Sequence, residues 1–127
     1  MAQIERHIVV TVDDDRRMRQ SLESLIESAG YAPLMFSSAE EFLRSGSLAK
    51  ASCVITDVGM PGMDGFELQR RIRLERPQLP VILISGLDGV ESRERALGNG
   101  AIEFLYKPFD VLGLLGIIRA ALTNTQE

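Results

Sequence analysis

The chain has 127 residues, 45% hydrophobic and 25% charged, with a net charge of −4. That is the size and balance of one soluble domain with a sizeable core, too short for two, and the acidic balance argues against nucleic-acid binding by this chain. No apolar run reaches the roughly 18 residues of a membrane span, the first six residues carry no apolar signal core, and a lone cysteine, Cys53, excludes an internal disulfide, so a reducing, cytoplasmic setting is expected.

Strands and helices alternate along the chain. Residues 7–12 read as a buried strand, an apolar run rich in β-branched residues that leads straight into Asp13-Asp14-Asp15. A helix is predicted over 16–28, with Met18, Leu22, Leu25, Ile26 and Ala29 on one stripe and Gly30 as its stop. Residues 32–36 form a short second strand. Ser37 or Ser38 caps a short second helix, Ser38 and Glu41 having capping-box spacing, with Phe42 and Leu43 inward. The third strand, 52–57, ends on Asp57 and opens into the turn-rich loop Gly59-Met60-Pro61-Gly62-Met63-Asp64-Gly65. Helix three spans 65–76 and stops before Pro77. Strand four, 81–85, ends on Ser85. Helix four, 90–99, has a thin apolar face of Val90, Ala96 and Leu97. Strand five, 101–106, delivers Lys107-Pro108, and helix five, 111–123, buries Leu112, Leu115, Ile118 and Leu122 before a polar tail.

Five βα units imply an open parallel sheet covered by helices on both faces. Ligands of such sheets bind beyond the carboxyl ends of the strands, at a topological switch point. If the first strand lies beside the third, Asp13, Asp14 and Asp57 become neighbours, with Ser85 and Lys107 alongside. Carboxylates so close repel, and a divalent cation relieves the repulsion. Oxygen-only ligands select Mg²⁺, Mn²⁺ or Ca²⁺ over zinc or copper, and an open acidic rim suits Mg²⁺ with water and a phosphate oxygen. A carboxylate there can attack phosphorus and form an acyl phosphate, with Lys107 neutralising charge and the Ser85 hydroxyl donating to a phosphoryl oxygen. Asp15 reads instead as the helix cap, His7 as a surface or structural residue, Cys53 as strand packing, and Met60 and Met63 as loop packing.

These residues resemble the receiver domains of bacterial two-component response regulators, over essentially the whole chain. The motifs that carry the resemblance are Val12-Asp13-Asp14-Asp15, Thr56-Asp57-Val58-Gly59-Met60-Pro61-Gly62-Met63-Asp64-Gly65, Ile84-Ser85-Gly86, and Gly100-Ala101 leading to Lys107-Pro108-Phe109. The stretch Phe36-Ser37-Ser38-Ala39-Glu40-Glu41-Phe42-Leu43 looks most like the nitrogen-fixation and nodulation subgroup, whose receivers precede a LuxR-type helix-turn-helix. The resemblance implies a flavodoxin-like (βα)5 fold with strand order 2-1-3-4-5, occupying 1–124, with 125–127 a tail or the start of a linker. It implies Asp57 as phosphoacceptor and Mg²⁺ held by Asp13, Asp14, Asp57 and the Gly59 carbonyl. Lys107 and Ser85 would bind the phosphoryl group with the backbone at Val58 and Gly86. Phe104, three residues before the lysine, would be the aromatic partner of Ser85 in switching, and the Lys107–Pro108 bond would be cis. The implied partners are a sensor histidine kinase, a second copy through the helix four–strand five–helix five face, and a helix-turn-helix output domain absent from this chain. The protein would then be a signalling phosphoacceptor that assists its own phosphorylation and dephosphorylation, not an enzyme in the usual sense.

Three departures from the family pattern stand out: Gly59 for a larger residue, which opens the site and bears on phosphoryl lifetime; Gly86 for alanine; and Phe104 for tyrosine. None removes a required group. A flavin carrier of the same fold would need a Ser/Thr/Gly-rich phosphate loop where the three acids stand. An aspartyl phosphatase of the haloacid dehalogenase type would need a second acid at position 59. A phosphorylation-independent interaction module is the remaining alternative, although such a module would normally have lost one of Asp13, Asp14, Asp57 or Lys107.

Overall fold

The computed structural model describes residues 6–86 and 90–124. Chain order is β1 (Ile8–Val12), α1 (Arg16–Ser28), β2 (Ala32–Phe36), α2 (Ala39–Arg44), a 3-10 turn (Ser47–Lys50), β3 (Cys53–Asp57), α3 (Gly65–Glu75), β4 (Val81–Ser85), α4 (Val90–Gly98), β5 (Glu103–Tyr106) and α5 (Val111–Asn124). The strands form one parallel sheet in the order β2-β1-β3-β4-β5, the flavodoxin-like arrangement expected. Its register pairs Val12 with both Phe36 and Thr56, Asp57 with Ile84, and Ser85 with Tyr106. The carboxyl ends of all five strands therefore finish level, and the direction of winding reverses between β1 and β3.

Alternation along the strands splits the core in two. On one face Val10, Val12, Val54, Leu83 and Phe104 pack under Phe42, Leu68, Ile72 and Ala96. On the other, Val9, Cys53, Ile55, Ile82 and Ile84 pack under Leu22, Ile26, Leu114, Ile118 and Leu122. The central strands β3 and β4 are buried at every position, as parallel strands covered on both faces must be. Burial pushes the Cys53 thiol up to about 12, so it stays protonated and acts as a packed apolar group. The half-buried His7 packs edge-on to Tyr31, 6.4 Å between ring centroids.

Local chemistry sets the helix starts. Asp15 caps α1 by accepting from the Arg17 amide at 2.9 Å. Ser38 caps α2 by accepting from the Glu41 amide at 3.1 Å, and the Glu41 carboxylate reaches back to the Ser37 amide at 2.8 Å. The reciprocal bond of the capping box thus lands one residue earlier than the spacing predicts.

Several expectations need correction. Strand five begins at Glu103 and not at 101, because the Ala101 amide turns back to the Ala96 carbonyl at 3.0 Å and closes the end of α4. Leu112 is not buried but 74% exposed, while Leu114 is fully buried; α5 is rotated so that 114, 115, 118 and 122 face the sheet. Leu97 is 38% exposed, which leaves Ala96 as the buried contact of α4. The Val90 side chain and the tail 125–127 lie outside the described residues. The 3-10 turn, with Leu48 buried, had no counterpart in the sequence reading.

Truncating Leu114 to alanine should therefore cost about 2–5 kcal/mol, and Leu112→Ala should stay within about 0.5 kcal/mol of wild type. Urea unfolding midpoints of the two variants check the rotation of α5, and the reverse ranking would contradict it.

Candidate functional site

The first acid is held by contacts within the protein. Asp13 follows the last residue of β1, its amide donating to the Phe36 carbonyl of β2 at 3.1 Å. Its carboxylate Oδ1 accepts from the Asp15 amide at 2.9 Å, a side-chain turn typical of aspartate. Arg19, one turn into α1, donates to the Asp13 carbonyl at 2.8 Å. Asp13 is buried and Asp14 exposed, so this pair of acids presents one fixed and one solvent-facing carboxylate.

Asp57 ends β3 and is 6% exposed. The turn after it is very tight: the Val58 carbonyl accepts from both the Met60 and Gly65 amides, at 3.2 and 2.9 Å. A Cβ on Gly65 would run into the Asp57 carbonyl oxygen and lie 2.8 Å from the Val58 Cα, so only glycine fits. Gly59 and Gly86 flank the site in open space, where an added Cβ meets nothing within 4 Å.

Carboxylate oxygens of Asp13, Asp14 and Asp57 lie within 4.8 Å of one another. The Lys107 ammonium, just past the end of β5, sits 3.2 Å from Asp13 Oδ2 and 3.3 Å from Asp57 Oδ1, and the Lys107–Pro108 bond is cis. Burial, then the charge of Asp13, holds the Asp57 carboxyl above the usual range; Lys107 opposes this without cancelling it, and Asp14 adds to it. Burial alone would lower the Lys107 ammonium, but the charges of Asp13 and Asp57 and their hydrogen bonds outweigh it, so Lys107 stands above its ordinary value and remains charged. Three carboxylates against one ammonium leave the cluster with excess negative charge, and every donor is a hard oxygen. That set fits an Mg²⁺-like cation and not zinc or copper.

Ser85 is buried at the end of β4, and its carbonyl accepts from the Lys107 amide at 2.8 Å. Phe104 is fully buried on the same sheet face, edge-on to Tyr106 with centroids 5.1 Å apart. The residue paired across the sheet from Ser85 is Tyr106, however, and Phe104 pairs with Leu83. The Val58 amide already donates to the Ile84 carbonyl at 2.8 Å. The site thus brings together Asp13, Asp14, Asp57, Ser85 and Lys107, and sequence reasoning missed Arg19 and Tyr106. Alternation in β5 puts 104 and 106 on one face and was a usable signal for the tyrosine; nothing in the spacing announces the reach of Arg19 back to Asp13.

Among the described residues no helix is long and apolar enough to cross a membrane. The chain is 37% identical over 120 residues to the transcriptional regulatory protein FixJ of Bradyrhizobium diazoefficiens, covering 94% of this chain but 58% of FixJ. Its fold superposes on a response regulator receiver domain from Clostridium thermocellum with a TM-score of 0.88, at 29% identity, over 94% of this chain and 97% of that one. It superposes likewise on the beryllofluoride-activated receiver domain dimer of NtrC4, with a TM-score of 0.86 and 32% identity, over 92% and 97%. The likeness to FixJ agrees with the subgroup that the α2 stretch resembles. A family model for the response regulator receiver domain matches residues 9–119, the span that carries every side chain of the acidic site, and the chain belongs to that family.

Proposed function

We propose that Asp57 accepts a phosphoryl group from a phosphohistidine of a sensor histidine kinase, and that the chain changes conformation in response. The observation that carries this reading is the Lys107 ammonium lodged between Asp13 and Asp57, with the oxygens of three acids within 4.8 Å. A carboxylate oxygen of Asp57 attacks phosphorus in line; the O–P bond forms as the P–N bond breaks, and the imidazole leaves with the electron pair. Lys107 pairs with the phosphoryl oxygens as they displace its contact with Asp57. The buried Ser85 hydroxyl and the Gly86 amide donate to the same oxygens, and the Val58 amide joins them only by sharing itself with the Ile84 carbonyl. Mg²⁺, held by Asp13, Asp14, Asp57 and the Gly59 carbonyl, with Mn²⁺ as a substitute, would supply the charge neutralisation that brings a phosphate dianion into an acidic pocket. The same residues serve autodephosphorylation, for which the open side at Gly59 leaves room for water.

The response runs through Ser85 moving toward the phosphate and the Phe104–Tyr106 pair following it, which alters the α4–β5 face. Leu97 of α4, 38% exposed, is an apolar side chain available there for a second copy. The chain spans 58% of FixJ, a transcriptional regulatory protein, and that likeness supports control of transcription as the output. A cytoplasmic location follows from that role.

Incubation with Mg²⁺ and acetyl phosphate should add one phosphoryl group to the wild type and none to Asp57→Asn, read by intact mass. An adduct on both would refute Asp57 as acceptor, and none on either would favour the phosphorylation-independent module. Mg²⁺ at about a hundred times its Kd should stabilise the wild type by about 2.7 kcal/mol. Asp14→Ala should lose most of that gain in thermal melts, and a wild type indifferent to Mg²⁺ would contradict the metal assignment.

A further inference from the structure

The loop that leaves Asp57 is folded on itself at its root but exposed at Pro61 and Gly62. A hydrogen bond from 23 positions upstream ties its tip down: the Met63 amide donates to Glu40 Oε2 at 2.9 Å. Gly62 makes room for that carboxylate. Its φ is +74°, and a Cβ there would stand 2.6 Å from Glu40 Oε2 and 3.5 Å from its Cδ. Hydrogen bonds from the Met63 amide and from Glu40's own amide, with the charge of Arg44, hold the Glu40 carboxyl below its usual range. Glu40 stands in the first turn of α2, two residues after its Ser38 cap. The chain enters that cap from Phe36, whose carbonyl receives the Asp13 amide. One short path of backbone and hydrogen bonds therefore runs from Asp13 through the start of α2 and Glu40 to the loop bearing Gly59.

We propose that Glu40 is a positioning residue for the phosphoacceptor site: its carboxylate clamps the Met63 amide in the notch left by Gly62 and so holds the Gly59 loop in register with the acids at 13, 14 and 57. This rests on the metal and phosphoryl reading above. Glu40 touches none of the reacting groups and acts only through the loop. Outer residues of this kind typically set metal affinity by about 10- to 100-fold.

The test is an Mg²⁺ titration of the whole chain followed by amide chemical shifts, with melting curves taken in the absence of metal. Glu40→Ala should move the Met63 amide resonance in the metal-free protein and weaken Mg²⁺ binding about tenfold. Glu40→Gln keeps an acceptor oxygen at the same reach and should stay close to wild type in both. Glu40→Asp, one methylene shorter and unable to reach the Met63 amide from the same backbone, should weaken Mg²⁺ about as much as Glu40→Ala. Should Glu40→Ala fail to fold, Glu40→Asp read against Glu40→Gln still decides the matter. Unchanged affinity in Glu40→Ala and Glu40→Asp, with a wild type that binds Mg²⁺ and takes the phosphoryl group, overturns the role of Glu40 alone. A wild type that does neither overturns the reading of the site itself.

Discussion

Three carboxylates lie closer together than they would lie in free solution, and the rest of the molecule is arranged to keep them there. Two unit charges 4 Å apart in a partly buried setting repel by about 4 kcal/mol, so the cluster works against folding. What opposes it is the level register of the parallel strands, built on cores that bury Val10, Val12 and Val54 on one face and Val9, Ile55 and Ile84 on the other. Asp13 is pinned further by the Asp15 amide and by Arg19 on its carbonyl. Lys107 relieves part of the repulsion, 3.2 Å from Asp13 and 3.3 Å from Asp57. A site that stores unfavourable negative charge in a rigid frame is poised for a cation, because binding one removes a cost that already exists.

The helices are not anchored alike. α1 and α5 bury Leu22, Ile26, Leu114, Ile118 and Leu122. Among its described side chains, α4 contributes Ala96 to the core and holds its neighbours by polar contacts. The Gln69 amide donates to the Ala96 carbonyl at 2.9 Å. Arg93 donates to the Phe104 carbonyl at 2.9 Å and pairs with Glu103 at 3.1 Å, and Arg95 lies 4.1 Å over the Phe66 ring. Directional contacts of this sort can be exchanged for others without exposing much apolar surface, which is the condition for two arrangements of similar free energy. Two of these tethers, both from Arg93, end on β5 at Glu103 and Phe104.

Most elements, and the residues that meet at the site, were legible from the chain alone. Buried parallel strands are short apolar runs whose ends are marked by the polar residues that follow them, and the topology then carries those ends to one edge. Asp13, Asp14, Asp57, Ser85 and Lys107 could be named together for that reason. The rotation of α5 could not. Its sequence, Val-Leu-Gly-Leu-Leu-Gly-Ile-Ile, is apolar on most sides, so periodicity does not single out the face that buries Leu114 and leaves Leu112 in water; packing against β3 and α1 does.

The contacts that refine the site were likewise settled only in three dimensions. The Glu40–Met63 bond, the reach of Arg19 to the Asp13 carbonyl and the pairing of Tyr106 with Ser85 depend on helix entry angles and strand register, and these are set by the whole core acting together. The amino-acid order specified which chemical groups would stand at the carboxyl edge of the sheet, since alternation and turn residues are local properties. How those groups are held, and by which neighbours, was decided by tertiary packing, because a hydrogen bond between residues far apart in the chain has no local signature.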